Sequence, residues 1–138
     1  ITIETLSSFR QRVCSEEDVK NLSKEEAHKI LEQEYFYRPH IGLLPEEIRF
    51  MVCDAGVMSG PEKAIELLQR ALEVDEDGVI GEVTVKASED YLHKYGVHAL
   101  SCHYSTLRKR LYYSIVKNFP QKACYLHGWC TRADACIV

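Results

Sequence analysis

The chain places apolar residues at helical spacing in every long segment, and this excludes most folds. Ala64, Leu67, Leu68, Ala71 and Leu72 recur at i, i+3, i+4, i+7 and i+8, the pattern of a helix with one buried face. No stretch alternates polar and apolar residues long enough to make a half-buried strand, so the expected class is all-α. The chain has 138 residues, which sets the expectation of a single helical domain of about six to seven helices.

Capping chemistry divides the chain further. A first helix is expected near Ile3 to Val13, and Ser15 followed by Glu16, Glu17 and Asp18 reads as the start of a short second one. Ser23 with Glu26 makes a capping box for a helix carrying Ala27, Ile30, Leu31 and Tyr35, which Pro39 ends. Pro45 suits a first helical position, and Ile48, Met51, Val52 and Ala55 form a stripe that should stop at Ser59, Gly60 and Pro61. This is the expected central buried helix. Gly78 and Gly81 mark a turn. One helix should run near Glu82 to Lys94 and end at Gly96, a longer one from about Val97 to Phe119, and a last one over roughly Gln121 to Arg132. No linker, repeat or low-complexity segment divides residues 1–138.

Charge narrows the partners. A net charge of -4 gives no electrostatic reason to bind nucleic acid or an anionic membrane. Arg108, Lys109 and Arg110 read as the solvated face of a helix. No run reaches the ~18 to 20 apolar residues of a membrane span, so stable membrane insertion is not expected, and Ile1 to Cys14 lacks the order of a signal peptide. The export route is therefore unstated.

Six cysteines (Cys14, Cys53, Cys102, Cys124, Cys130 and Cys136) are an even number compatible with disulfides. Cys53 reads as a buried free thiol, and the three nearest the C-terminus are the better bridging candidates. Cys124, His127, Cys130 and Cys136 are spread over too wide an arc of one helix for zinc. Glu73, Asp75, Asp77, Gly78 and Ile80 follow part of a calcium-loop pattern, but Thr84 stands where its bidentate glutamate belongs. No metal and no cofactor are expected. Cys102 and His103 are adjacent on a helix and point apart, so they make no nucleophile and base pair.

Several short motifs occur in a fixed order: Ile1-Thr2, Tyr35-Phe36, Leu44-Pro45, Asp54 through Val57-Met58-Ser59-Gly60, Leu68 to Leu72, Asp77-Gly78 through Gly81 and Thr84, Arg110 through Tyr113, and Gly128-Trp129 through Arg132. In order and spacing the chain resembles the family 108 glycoside hydrolases, lysozyme-like N-acetylmuramidases, and from Asp54 to Val138 it also resembles a predicted peptidoglycan domain. Two departures stand out. The family's catalytic glutamate, in an E-G-G-Y motif, is expected before Ile1, and Met58 replaces a usual asparagine.

The resemblance implies a peptidoglycan hydrolase cleaving the β-1,4 bond between N-acetylmuramic acid and N-acetylglucosamine, active in the bacterial periplasm or cell wall. An endolysin or a secreted antibacterial effector would fit, with an immunity, holin or secretion partner. A non-catalytic peptidoglycan-binding module and a helical partner-binding domain are the alternatives. No catalytic residue is matched. Glycoside hydrolysis uses paired carboxylates, and Asp54 is a possible auxiliary one, against the alternative that it only bonds its neighbours. Glu32 and Glu34 read as solvated. Tyr35, Phe36 and Trp129 are candidates to stack on sugars, and Asp54, Ser59 and Gly60 complete the expected substrate-binding set.

Overall fold

The computed structural model describes residues 1–138 and contains seven α-helices and no strand. The helices are α1 (Ile3–Arg10), α2 (Glu16–Lys20), α3 (Lys24–Glu32), α4 (Glu46–Ser59), α5 (Pro61–Ala71), α6 (Glu82–Asn118) and α7 (Ala123–Ala135). A π-helical turn (Gln33–Tyr37) continues α3, and short 3-10 turns (Ile41–Leu43 and Pro120–Lys122) precede α4 and α7. The all-α expectation holds.

Local chemistry explains most boundaries. The α1 helix stops at Arg10, short of the expected Val13, because Gln11 turns left-handed at φ 54° and its N–H donates back to the carbonyls of Ser7 and Ser8. Ser15 and Asp18 form the reciprocal capping box of α2. At α3 only half of the expected box forms. Ser23 accepts from the Glu26 N–H at 3.1 Å, while the Glu26 carboxylate reaches across to Arg10 at 2.7 and 2.8 Å. Pro45 sits one residue outside α4, as its cap. Gly60, at φ 90°, serves as the joint between α4 and α5. Gly96, at φ 87°, breaks α6 where the sequence marks the end of one helix and the start of the next.

Two apolar clusters result. The larger joins Ile48, Met51, Val52 and Ala55 of α4 to Ala64, Ile65, Leu67, Leu68 and Ala71 of α5, then to Leu100, Tyr104 and Leu107 of α6. The buried Tyr104 hydroxyl donates to the Ala64 carbonyl at 2.8 Å, fixing α6 on α5. The smaller cluster, Leu6, Cys14 and Ile30, holds α1 to α3, and the Arg10 to Glu26 ion pair closes it.

All six cysteines are free, so the bridges considered for the C-terminal three do not form. Cys124 is exposed, and Cys136 is buried against Asp54. Cys53 is half-buried rather than fully buried, and its thiol donates to the Tyr35 carbonyl at 3.4 Å. The α7 helix starts after the 3-10 turn and runs a turn beyond Arg132. No helix is long and apolar enough to cross a membrane.

Candidate functional site

A cleft of about 750 Å³ opens where four segments meet. The α1 helix contributes Glu4, Thr5 and Ser8. The π turn and the residues after it contribute Glu34, Tyr35, Arg38 and His40, and the start of α5 contributes Glu62 and Ile65. The turn after α5 supplies Asp77, Gly78, Val79 and Ile80 as the remaining wall. A groove of this size suits a small ligand or a short run of polymer.

Gln69, only 1% exposed, organises that last wall. Its amide nitrogen donates to Asp77 Oδ1 at 2.7 Å, to the Val79 carbonyl at 2.9 Å and to Thr84 Oγ1 at 3.1 Å. Its amide oxygen accepts from the Gly78 N–H at 3.0 Å. Asp77 Oδ1 also accepts from the Val79 N–H at 3.0 Å, and these bonds, with the backbone one foremost, hold the Asp77 carboxyl below its usual range. Gly78 adopts φ 72°, and a Cβ there would come within 2.6 Å of Glu62 Cγ. Only glycine lets the turn lie so close to α5. Of the calcium-like pattern, Asp77, Gly78 and Ile80 line the cleft and Glu73 and Asp75 do not, and Asp77 Oδ1 is engaged by Gln69 and Val79.

The expected substrate-binding residues do not assemble in one place. Tyr35 lines the cleft. Phe36 instead packs against the main core, edge-on to Tyr37 at 5.3 Å. Ser59 and Gly60 end α4 beside Pro61, which reaches the cleft although they do not. Trp129 sits between Tyr112 and Tyr125, with ring centroids 5.6 and 5.7 Å away. Glu34, read as solvated, faces the cleft and pairs with Arg38 at 2.9 Å; Glu32 is exposed.

Asp54 belongs to a separate network. Its Oδ1 accepts from Arg132 at 2.7 and 3.0 Å, and its Oδ2 accepts from Arg108 at 3.0 Å. The Cys136 thiol lies 3.6 Å from the same Oδ2. Burial alone would raise the Asp54 carboxyl, but the bonds and charges of Arg132 and Arg108 outweigh it and leave it below the usual range. Arg108 also donates to the Tyr112 hydroxyl at 3.0 Å. This corrects the reading of Arg108 to Arg110 as one solvated face: Arg108 is 1% exposed, Lys109 pairs with Asp134 at 2.9 Å, and only Arg110 is fully at the surface. Arg110 and Tyr113 are both exposed, so the arginine and tyrosine that α6 buries are Arg108 and Tyr112.

Sequence reasoning missed Gln69, Glu62 and Arg108. Gln69 carried a usable signal, because it is a polar residue between Leu68 and the rest of an apolar helical face, where an unpaired amide would be costly. Cys102 has a partner other than His103: its sulfur lies 3.5 Å from His98 Nε2, one turn earlier on α6.

The fold is similar to that of known proteins. Residues 1–60 match the family model of Glycosyl hydrolase 108, and residues 63–134 match that of a Predicted Peptidoglycan domain. The structure of Brucella abortus SagA is similar at a TM-score of 0.78 and 27% identity, over 98% of this chain and 77% of that one. No curated protein matches. The boundary between the two matched regions falls at the Gly60 joint, yet the main core takes residues from both sides of it. The chain belongs, over residues 63–134, to the predicted peptidoglycan domain family, and its N-terminal residues 1–60 are similar to the glycosyl hydrolase 108 family.

Proposed function

We propose that residues 1–138 form one domain that holds peptidoglycan glycan strands for an N-acetylmuramidase reaction, cleavage of the β-1,4 bond between N-acetylmuramic acid and N-acetylglucosamine. The observation that carries this reading is the open cleft, which offers an aromatic ring from Tyr35 and carboxylates from Glu4, Glu34, Glu62 and Asp77. Sugars present apolar ring faces and many hydroxyl donors, and an aromatic ring with carboxylates answers both.

Hydrolysis needs a proton donor for the leaving oxygen. Asp54 and Asp77 are poor candidates because both are held ionised, and Glu34 is committed to Arg38. The acid in this proposal comes from a segment preceding Ile1, where the family resemblance implies its glutamate, rather than from the cleft's Glu4 or Glu62. The α1 helix, which begins two residues later, borders the cleft, so such a segment would enter the molecule beside the bound strand. The site of action is the periplasm or cell wall, as a phage endolysin or a secreted antibacterial effector.

The test is digestion of purified peptidoglycan by the full-length protein, with products read by mass spectrometry after borohydride reduction. New reducing ends on N-acetylmuramic acid are expected. Ends on N-acetylglucosamine would assign a different bond. Binding to sacculi without any cleavage would favour the second reading, a non-catalytic peptidoglycan-binding module, which the match over residues 63–134 supports.

A further inference from the structure

Asp77 spends only half of its carboxylate on the fold. Oδ1 takes the Gln69 amide and the Val79 N–H, while Oδ2 makes no hydrogen bond or ion pair to another residue. A turn of this kind needs only one oxygen, which asparagine would supply equally well. What the aspartate adds is a second, anionic oxygen, on an exposed residue that lines the cleft and is anchored through Oδ1 to the buried Gln69.

We propose that Asp77 Oδ2 is a substrate contact, accepting a hydroxyl or acetamido N–H from an N-acetylated hexosamine held in the cleft. The proposal rests on the glycan reading above and assigns one of its contacts. Three features select this ligand class. An ionised carboxylate with a free oxygen is a strong acceptor that favours neutral groups rich in donors. Glu62, whose side chain lies beside Gly78, puts a second carboxylate near Asp77, which favours the neutral hydroxyl and acetamido edge of a sugar over a lactyl carboxylate at this wall. The one arginine of the cleft, Arg38, is paired with Glu34. The carboxylate is also ready-made: Gln69, Thr84 and the Gly78 N–H hold the turn before any ligand arrives, so little ordering is needed on binding.

Asp77→Asn separates the two duties of the side chain. The asparagine keeps the Oδ1 acceptor and the turn but loses the anionic oxygen. With peptide-free glycan strands from peptidoglycan as the probe, at a temperature where both proteins are folded, the full-length Asp77→Asn protein should bind roughly tenfold to a hundredfold more weakly than the native protein, with a smaller loss of Tm than Asp77→Ala. Asp77→Ala should bind as weakly and melt lower, since it also loses the Oδ1 bonds. Native-strength binding by Asp77→Asn overturns this assignment and leaves the glycan reading standing. Native protein that binds only peptide-bearing fragments overturns it too, because the contact would then be to the stem peptide. Native protein that binds neither strands nor sacculi sinks both.

Discussion

Asp54 and Asp77 are two aspartates at motif positions, both held below the usual carboxyl range, yet they do opposite things with their oxygens. Asp54 uses both. Its partners, Arg108 and Arg132, come from 54 and 78 residues away and bind α4 to α6 and α7. Asp77 uses one oxygen, and its partners lie two and eight residues away, in its own turn and on the α5 helix just before it. Long-range bonds that consume a carboxylate hold the fold together. Short-range bonds that consume half of one aim the other half outward, so only the second arrangement leaves anything for a ligand.

The sharpest way to break this comparison is to remove the buried partner. Arg108→Leu leaves a carboxylate only 10% exposed with the half-exposed Arg132 as its one remaining cation, and truncating one member of a buried pair costs up to about 3–5 kcal/mol. Urea unfolding should show this as the largest loss among the single changes considered. A cost no greater than that of a surface substitution would mean that the network is not what fixes α6 to α4. Acid should probe the same pair. Because the folded carboxyl of Asp54 lies below its unfolded value, the stability it contributes is complete above the unfolded range, near pH ~3.9, and is lost as pH falls through the folded value. Titrated melting curves should therefore fall on acidification below about pH 4, and Asp54→Asn should flatten that limb.

On the other side of the comparison, Gln69→Leu should cost about 1–3 kcal/mol, the penalty for leaving buried polar groups such as the Thr84 hydroxyl without a partner. Its effect should also differ in kind. Gln69→Leu frees the wall of the cleft and should weaken glycan binding, whereas substitutions around Asp54 should lower stability and leave the binding of the folded fraction alone. Chemical unfolding alongside a sacculus pull-down at a temperature where each variant is folded separates the two.

These two networks also show what could be read from the chain. The apolar stripes of α4 and α5 were legible because each is written within one helix: Ile48, Met51, Val52 and Ala55 are all buried, as are Ala64, Leu67, Leu68 and Ala71. The Gly96 break and the α2 cap were legible for the same reason, since glycine and a serine with a following acid act on their immediate neighbours. Arg108 was not, because an Arg-Lys-Arg run looks solvated unless the carboxylate that buries its first member is known, and that carboxylate lies 54 residues earlier. The cleft was only partly legible. Tyr35 stood out as an aromatic residue in a matched motif, but the cleft draws on segments from Glu4 to Ile80, and no local pattern announces that these meet.

The smallest expected effect is the one that isolates position from partnering. Arg132 is 46% exposed, and solvent screens its pair with Asp54, so Arg132→Ala should cost about 0.5–1 kcal/mol. The substitution leaves Asp54 with Oδ2 on Arg108 and Oδ1 without a partner, which is the condition of Asp77 in the native protein. Asp54 does not line the cleft, however. Glycan binding by Arg132→Ala should therefore match the native protein in the same pull-down that registers Asp77→Asn. Weakened binding in Arg132→Ala at an unchanged fold would mean that sugar reaches the α4 and α7 face, and that a free carboxylate oxygen matters there as well as in the cleft.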